Sequence, residues 1–373
     1  MSVRHYVDFK RIGEPLMLDI LQRVKRNVNV LTRLLPILSF IPPLFILYSL
    51  YAWSFEKTFQ GRTFLLFFSW LVVLEIILCW EKLQKNKVNR LKSMRTALLI
   101  IVLLLPTIYV IVANYCGLNA IIEDLAKQNI SPNDPLKDVH ASSIPVSTEY
   151  MVFSVFLGLI VLLAYGIGGL TDFSISTFFA GTIGILFTID NLYPFGKFTP
   201  LQILVPTTAR LAANVFNLMG YTTSMIFILN DPIQGSYPRL SVTSPQGESI
   251  GFGIAWPCSG IESLLIYTVT ILIFLKKTDI SWKHRIIYFS AGAVVTFFIN
   301  VFRIITLFLL AIDYGWPSPE AQNFHDYYGM LYSITWIISY PLIIIGSRTL
   351  WKRIRNWKTD QKKHRFSDLN QAS

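Results

Sequence analysis

Three residues of this sequence, a cysteine, an arginine and a histidine, stand where each residue type is costly or reactive, and together they suit acyl transfer through a thioester. Cys258 lies in "GIAWPCSGIESLLIYTVTILIFLKK", Gly253 to Lys277, at the mouth of an apolar run. A cysteine opening a helix meets N–H groups that lack intrahelical acceptors, and that positive end favours the thiolate. Ser259 and Gly260 beside it permit close approach of another backbone. A small apolar filler would suit the same place, so the nucleophile reading depends on partners. Arg303, in "FFINVFRIITLFLLAID", lies well inside an apolar run. A guanidinium there costs at least ~2.5–3.5 kcal/mol near a membrane centre, which marks a functional position. Asn300 shares its helix face and is placed to hold the guanidinium fork. His325, in "NFHDYYGMLYS", opens the last apolar run and supplies an acid or base. Glu262, one turn after Cys258, is a candidate counter-ion for Arg303 or an orienting group for His325.

The elements that must position these residues are membrane helices. Of 373 residues 53% are hydrophobic and only 15% charged, with a mean hydropathy of +0.49. Soluble domains carry about a quarter charged residues, so these values indicate a polytopic membrane protein. Runs of about 20 apolar residues are expected to span. They occur at Leu34–Trp53, Thr63–Trp80, Ala97–Cys116, Tyr150–Gly169, Phe173–Ile189, Gly260–Leu275, Ile286–Ile312 and Tyr327–Gly346. The expected fold is thus an all-α membrane protein of about eight helices. Residues 1–33 form a basic cytoplasmic segment, 34–347 one membrane-embedded catalytic domain, and 348–373 a basic cytoplasmic tail. The first run reads as a retained signal anchor, since no short apolar core with a cleavage site precedes it.

The net charge of +11 is concentrated beside the apolar runs. That placement follows the positive-inside rule, and indicates orientation and lipid contact in preference to nucleic-acid binding. With both termini cytoplasmic, every basic loop falls on one side, and Leu118–Glu149, rich in acidic residues, reads as an outer loop. His5, His284 and His364 then lie inside, leaving His140 and His325 outside with Cys258. The broken, polar segment Ile203–Ile228 is expected to be an interfacial or re-entrant helix on the outer face. Period-two runs such as "RLSVTS", punctuated by "DPIQG" and "PQGES", predict a small β-hairpin unit after it. Helix and hairpin, residues 203–257, would cap the mouth of the sixth span. Three cysteines make no disulfide framework, although Cys116 and Cys258 fall on one side and a bridge between them stays open.

"CSGIESLL" at a span mouth, "NVFRI" inside the next span and "FHDYYG" opening the last, in that order and on one membrane face, resemble the exosortase and archaeosortase family of membrane cysteine transpeptidases. The resemblance covers about Ile203–Gly346 and includes "LAANVFNLMGY". It implies that Cys258, Arg303 and His325 correspond to the family's proposed catalytic Cys, Arg and His. Many relatives carry a basic residue in place of Glu262. It also implies substrate proteins with a C-terminal motif, a transmembrane helix and a basic tail, transferred to a lipid amine or another envelope acceptor. In that scheme Cys258 forms the thioester, Arg303 stabilises the oxyanion and His325 exchanges protons. No metal or other cofactor and no nucleic acid is implied. Release of the thioester to water is one alternative. The other is a transporter or scaffold in which Arg303 and Glu262 form an intramembrane site.

Overall fold

Inside lipid, backbone N–H and C=O groups must be satisfied within the segment, and the apolar runs do this as helices. The computed structural model describes residues 33–58, 60–85, 93–132, 136–193, 199–231 and 235–371. The basic N-terminal segment, apart from Arg33, lies outside them, as do Lys87, Arg90 and Lys92. Among the described residues six helices are long and apolar enough to cross a membrane: Arg33–Glu56, Ala97–Tyr115, Lys137–Tyr165, Ser174–Leu192, Trp282–Tyr314 and Pro319–Trp357. The other two expected spans form shorter helices, of 16 residues at Thr63–Leu78 and 17 at Ile261–Lys277. The chain is a multi-pass, mostly helical membrane protein with a small antiparallel sheet.

Contacts divide the chain into two units. The first comprises residues 1–52, 65–119 and 152–180. It holds α1 (Ile41–Tyr51), most of α2 (Thr63–Leu78), α3 (Ser93–Tyr115) and the later part of α5 (Lys137–Tyr165). Phe40 packs edge-on against Phe68 and Phe153, with ring centres 5.1 and 5.2 Å apart. Glu75, buried in α2, accepts hydrogen bonds from the N–H groups of Ile175 and Ser176 at 2.9 and 3.1 Å. These open α6 (Ser174–Leu192), so a carboxylate that would be costly in an apolar helix meets the positive end of another.

The second unit, residues 53–64, 120–151 and 181–373, contains all the candidate chemistry. The segment read as an acidic outer loop is folded: α4 (Leu118–Asn129) and the first turns of α5 enclose a small core of Ala126, Ile130, Ala141 and Ile144. Charged residues on one face of an amphipathic helix gave that stretch its loop-like composition. Arg62 donates to both carboxylate oxygens of Glu149, at 2.7 and 2.9 Å, and Tyr150 donates to the Gly61 carbonyl at 2.8 Å. These buried bonds fasten the connection before α2 to α5.

Ile203–Ile228 is not a single helix. α7 (Val205–Leu218) ends in a Schellman motif: Tyr221 N–H bonds Phe216 O, Gly220 N–H bonds Asn217 O, and Gly220 takes φ +87°. The chain then enters β1 (Thr222–Asp231), which pairs antiparallel with β2 (Gly235–Thr243). The predicted hairpin is therefore present, extended by a third strand, β3 (Ser249–Gly253), to give the order β1-β2-β3. The sheet packs on α7 and, through β3, on α9 (Trp282–Tyr314). α8 (Ile261–Lys277), α9 and α10 (Gly329–Gln371) pack on one another beside it.

Candidate active site

Cys258 lies in the turn that leads from β3 into α8. The helix starts at Ile261, after Gly260 in the left-handed region at φ +90°. Gly260 is required twice, because a Cβ there would also lie 2.5 Å from Asn300 Cβ. The expected close approach at Gly260 is thus to a side chain rather than a backbone. Since Cys258 precedes this break, Glu262 is not one helical turn below it. Ser259 shapes the turn: its hydroxyl donates to Trp256 O at 2.8 Å, and its carbonyl accepts from Thr208 of α7 at 3.2 Å.

His325 reaches the same place from the far side. A short helix, Pro319–Asn323, runs into a wide π turn, Phe324–Tyr328, that precedes α10. His325 Nε2 lies 4.0 Å from Cys258 Sγ. His325 Nδ1 lies 2.8 Å from Oδ1 of Asp326. Cysteine, imidazole and carboxylate thus stand in a row, each ring nitrogen facing one partner. Burial pushes the Cys258 thiol up, but the hydrogen bond and charge of His325, with the charge of Arg303, outweigh it and hold the thiol below its ordinary value.

Arg303, in α9, is 7% exposed. Its Nη1 lies 2.8 Å from Met330 Sδ, and Nη2 donates to the His325 carbonyl at 3.3 Å. The guanidinium is therefore held by the start of α10, not by Asn300. Gly329 makes room for it, since a Cβ there would come within 2.7 Å of Arg303 Nε. Asn300 has a different task. It donates to Thr296 O at 2.7 Å and accepts from Ser263 of α8 and Ser333 of α10, each at 3.3 Å, joining three helices below the site. Glu262 is buried at 3% exposure, with Oε1 lacking a hydrogen-bond partner among the described residues. No ion pair joins it to Arg303 among those residues, and the carboxylate that contacts His325 is Asp326.

An aromatic path connects the sheet to the site. Phe252 of β3 packs edge-on against Phe308 of α9 and Trp316, at 5.0 and 5.1 Å, and Trp316 stands edge-on to His325 at 6.2 Å. The other outward histidine of the sequence reading, His140, is buried in α5, and the imidazole at Cys258 is that of His325. All three cysteines are free, so Cys116 and Cys258 are not bridged.

Two residues of this arrangement escape sequence reasoning. Asp326 stands beside His325 in the chain, and adjacent residues on a regular helix do not face one another. Thr58, far away in sequence, bonds the backbone of Asp326. The adjacent "HD" pair was the only available signal for the first, and nothing signalled the second.

Comparison with curated proteins and with solved structures gives no match. The profile of the transmembrane exosortase family (Exosortase_EpsH) matches residues 53–340, a stretch that takes in Thr58, Cys258, Arg303, His325 and Asp326. The chain belongs to the exosortase family.

Proposed function

We propose that this protein is a membrane cysteine transpeptidase with Cys258 as nucleophile, His325 as general acid and base, and Arg303 as stabiliser of the oxyanion. Family membership implies a membrane transpeptidase that processes proteins carrying C-terminal sorting signals. The observation that carries the residue assignment is the row Cys258 Sγ, His325 Nε2, His325 Nδ1, Asp326 Oδ1, with contacts of 4.0 and 2.8 Å. A thiol lowered by its neighbours supplies the attacking thiolate, and an imidazole turned by a carboxylate presents Nε2 to the reacting atoms.

In the reaction, the Cys258 thiolate adds to a peptide carbonyl beside the substrate's membrane helix. The oxygen that gains charge is met by the guanidinium of Arg303, in a buried setting where such contacts are strong. As the C–N bond breaks, the imidazolium of His325 gives its proton to the departing amine, leaving an acyl thioester on Cys258. An amine of a lipid or other envelope acceptor then attacks, His325 removes its proton, an amide forms, and the Cys258 thiolate departs. Asp326 positions the ring through both half-reactions. The reaction takes place on the extracytoplasmic face, with both termini cytoplasmic. The basic segments flanking the apolar runs support that orientation.

The test is mass spectrometry of a candidate substrate's new C-terminus in cells with the wild-type enzyme and with Cys258→Ala. Wild-type cells are expected to yield a truncated substrate bearing the acceptor's mass. Unchanged processing by Cys258→Ala would remove the enzyme assignment.

A further inference from the structure

The start of α9, remote from Arg303, and the middle of α10 enclose a second polar site. Arg303 lies about 30 Å along α9 from Trp282 at ~1.5 Å per residue. At the Trp282 end a cavity of about 690 Å³ opens between the turn joining α8 to α9 and the basic stretch of α10. Its walls carry His284 from α9, Arg348, Lys352 and Arg355 from α10, and the flanking Ser281 and Trp351. Against the cations Arg348, Lys352 and Arg355 the wall offers one carboxylate among the described residues, Asp279.

The wall is held in shape by hydrogen bonds. Arg348 Nη2 donates to the Asp279 carbonyl at 2.7 Å. Arg285 donates from Nε to Ile280 O at 2.8 Å and from Nη2 to Thr278 O at 3.1 Å. Three successive carbonyls of the turn are thus fixed by two guanidinium groups. The rest of the Arg348 fork, a planar array suited to phosphate oxygens, remains at the cavity. The Tyr288 carbonyl accepts the hydroxyls of Tyr267 and Tyr340, at 3.4 and 2.7 Å, and the Ser281 hydroxyl lies 2.6 Å from His284 Nδ1.

Charge and size select the ligand class. An excess of fixed positive charge excludes a basic peptide tail or an ammonium group. A volume of about 690 Å³ falls in the range of small-molecule sites and exceeds what an inorganic anion fills. Trp351, which lines the cavity, is 69% exposed, as indoles are at the headgroup level of a bilayer. Basic pockets between membrane helices take phosphorylated headgroups. We propose that this cavity binds the phosphate-bearing headgroup of an anionic phospholipid, at the end of α8 opposite Cys258.

The test is native mass spectrometry of the full-length protein in detergent, titrated with phosphatidylglycerol, phosphatidylcholine or inorganic phosphate. Saturable binding of phosphatidylglycerol, at least tenfold tighter than phosphatidylcholine and undiminished by millimolar phosphate, is the expected result. Arg348→Gln should weaken it at least tenfold. Because that change also frees the Asp279 carbonyl, Lys352→Glu serves as the second variant: it reverses one wall charge, leaves the Arg348 clamp intact and should weaken binding at least fivefold. Equal binding of the two lipids would overturn the proposal. So would wild-type affinity in a folded Lys352→Glu protein. Displacement of phosphatidylglycerol by millimolar phosphate would reassign the cavity to free anions and overturn the lipid assignment.

Discussion

Thr58 and Asp326 are joined by two hydrogen bonds to a single atom: the backbone N–H and the hydroxyl of Thr58 both donate to the Asp326 carbonyl, at 3.0 and 2.7 Å. The connection before α2, itself fastened by the Arg62–Glu149 pair, thereby grips the π turn that carries His325. Arg303 grips the neighbouring carbonyl, that of His325. Two successive peptide groups are thus held from opposite sequence directions, which fixes the imidazole between Cys258 and Asp326.

In the proposed mechanism Thr58 is accordingly a positioning residue. Thr58→Val keeps the N–H bond and the side-chain volume but loses the hydroxyl, a loss of about 0.5–1.5 kcal/mol, or roughly 2–10-fold. Substrate processing should fall by a factor in that range, with the pH at which Cys258 becomes half-alkylatable moving upward. Thr58→Ser should restore both. A drop in membrane abundance with no change in that pH midpoint would show a merely structural role.

The electrostatics of Cys258 predict a specific pH dependence. Its thiol is held below the ordinary value, and only the thiolate reacts, so alkylation persists below the usual thiol range and is lost as pH falls through the lowered value. His325→Ala removes the hydrogen bond and charge that lower the thiol while leaving burial, which raises it. The alkylation midpoint should then rise. A membrane-impermeant haloacetamide on intact cells, with Cys258 as the sole cysteine, reads the midpoint and tests the proposed outward orientation together. An unchanged midpoint in His325→Ala would contradict the contact. Labelling only after permeabilisation would reverse the topology.

Gly260 offers a test of the seam beneath the site. Gly260→Ala meets a left-handed backbone, at about 1–2 kcal/mol, and an overpacked contact with Asn300, at about 1–3 kcal/mol. The variant should lose thermal stability in detergent and nearly all processing. Asn300→Gly opens the space, so Gly260→Ala should cost less stability when introduced into Asn300→Gly than into the wild-type chain. An equal cost in the two backgrounds would mean that the backbone conformation alone carries the effect.

The parts legible in the sequence were those with a local cost. Apolar runs have few alternatives to membrane helices, and an arginine inside one has to be explained, so Arg303 was found without any knowledge of its partners. The partners themselves were misread wherever helical spacing was assumed. Spacing alone puts Glu262 one turn from Cys258, but the left-handed Gly260 ends that relation before α8 begins. Asn300 shares a face of α9 with Arg303, yet it bonds Ser263 and Ser333 on two other helices. The Gly220 stop signal stood in "NLMGY", but the apolar residues beyond it, which form β1, read as a continuation of the helix. Asp326 and Thr58 depend on a π turn and on contacts across the chain, neither of which periodicity encodes.

The division of labour between Arg303 and His325 can be separated by what accumulates. Arg303→Lys keeps a charge but not the fork that spans Met330 Sδ and the His325 carbonyl. Oxyanion stabilisation should fall in both half-reactions, so processing should drop roughly 10²–10³-fold with no build-up of thioester. His325→Ala acts on proton transfer, where about 10²–10⁴-fold is at stake. If His325 mainly protonates the leaving amine, the first cleavage slows and Cys258 stays unmodified. If it mainly activates the acceptor, cleavage survives and an acyl adduct gathers on Cys258. The geometry favours the first. The charge of Arg303 also lowers the thiol and remains in this variant, whereas His325 Nε2 is the group facing Cys258, and an amine leaves poorly without a proton. Intact-mass analysis of purified His325→Ala with substrate should therefore show free Cys258. A hydroxylamine-sensitive adduct would transfer the main role of His325 to the second half-reaction.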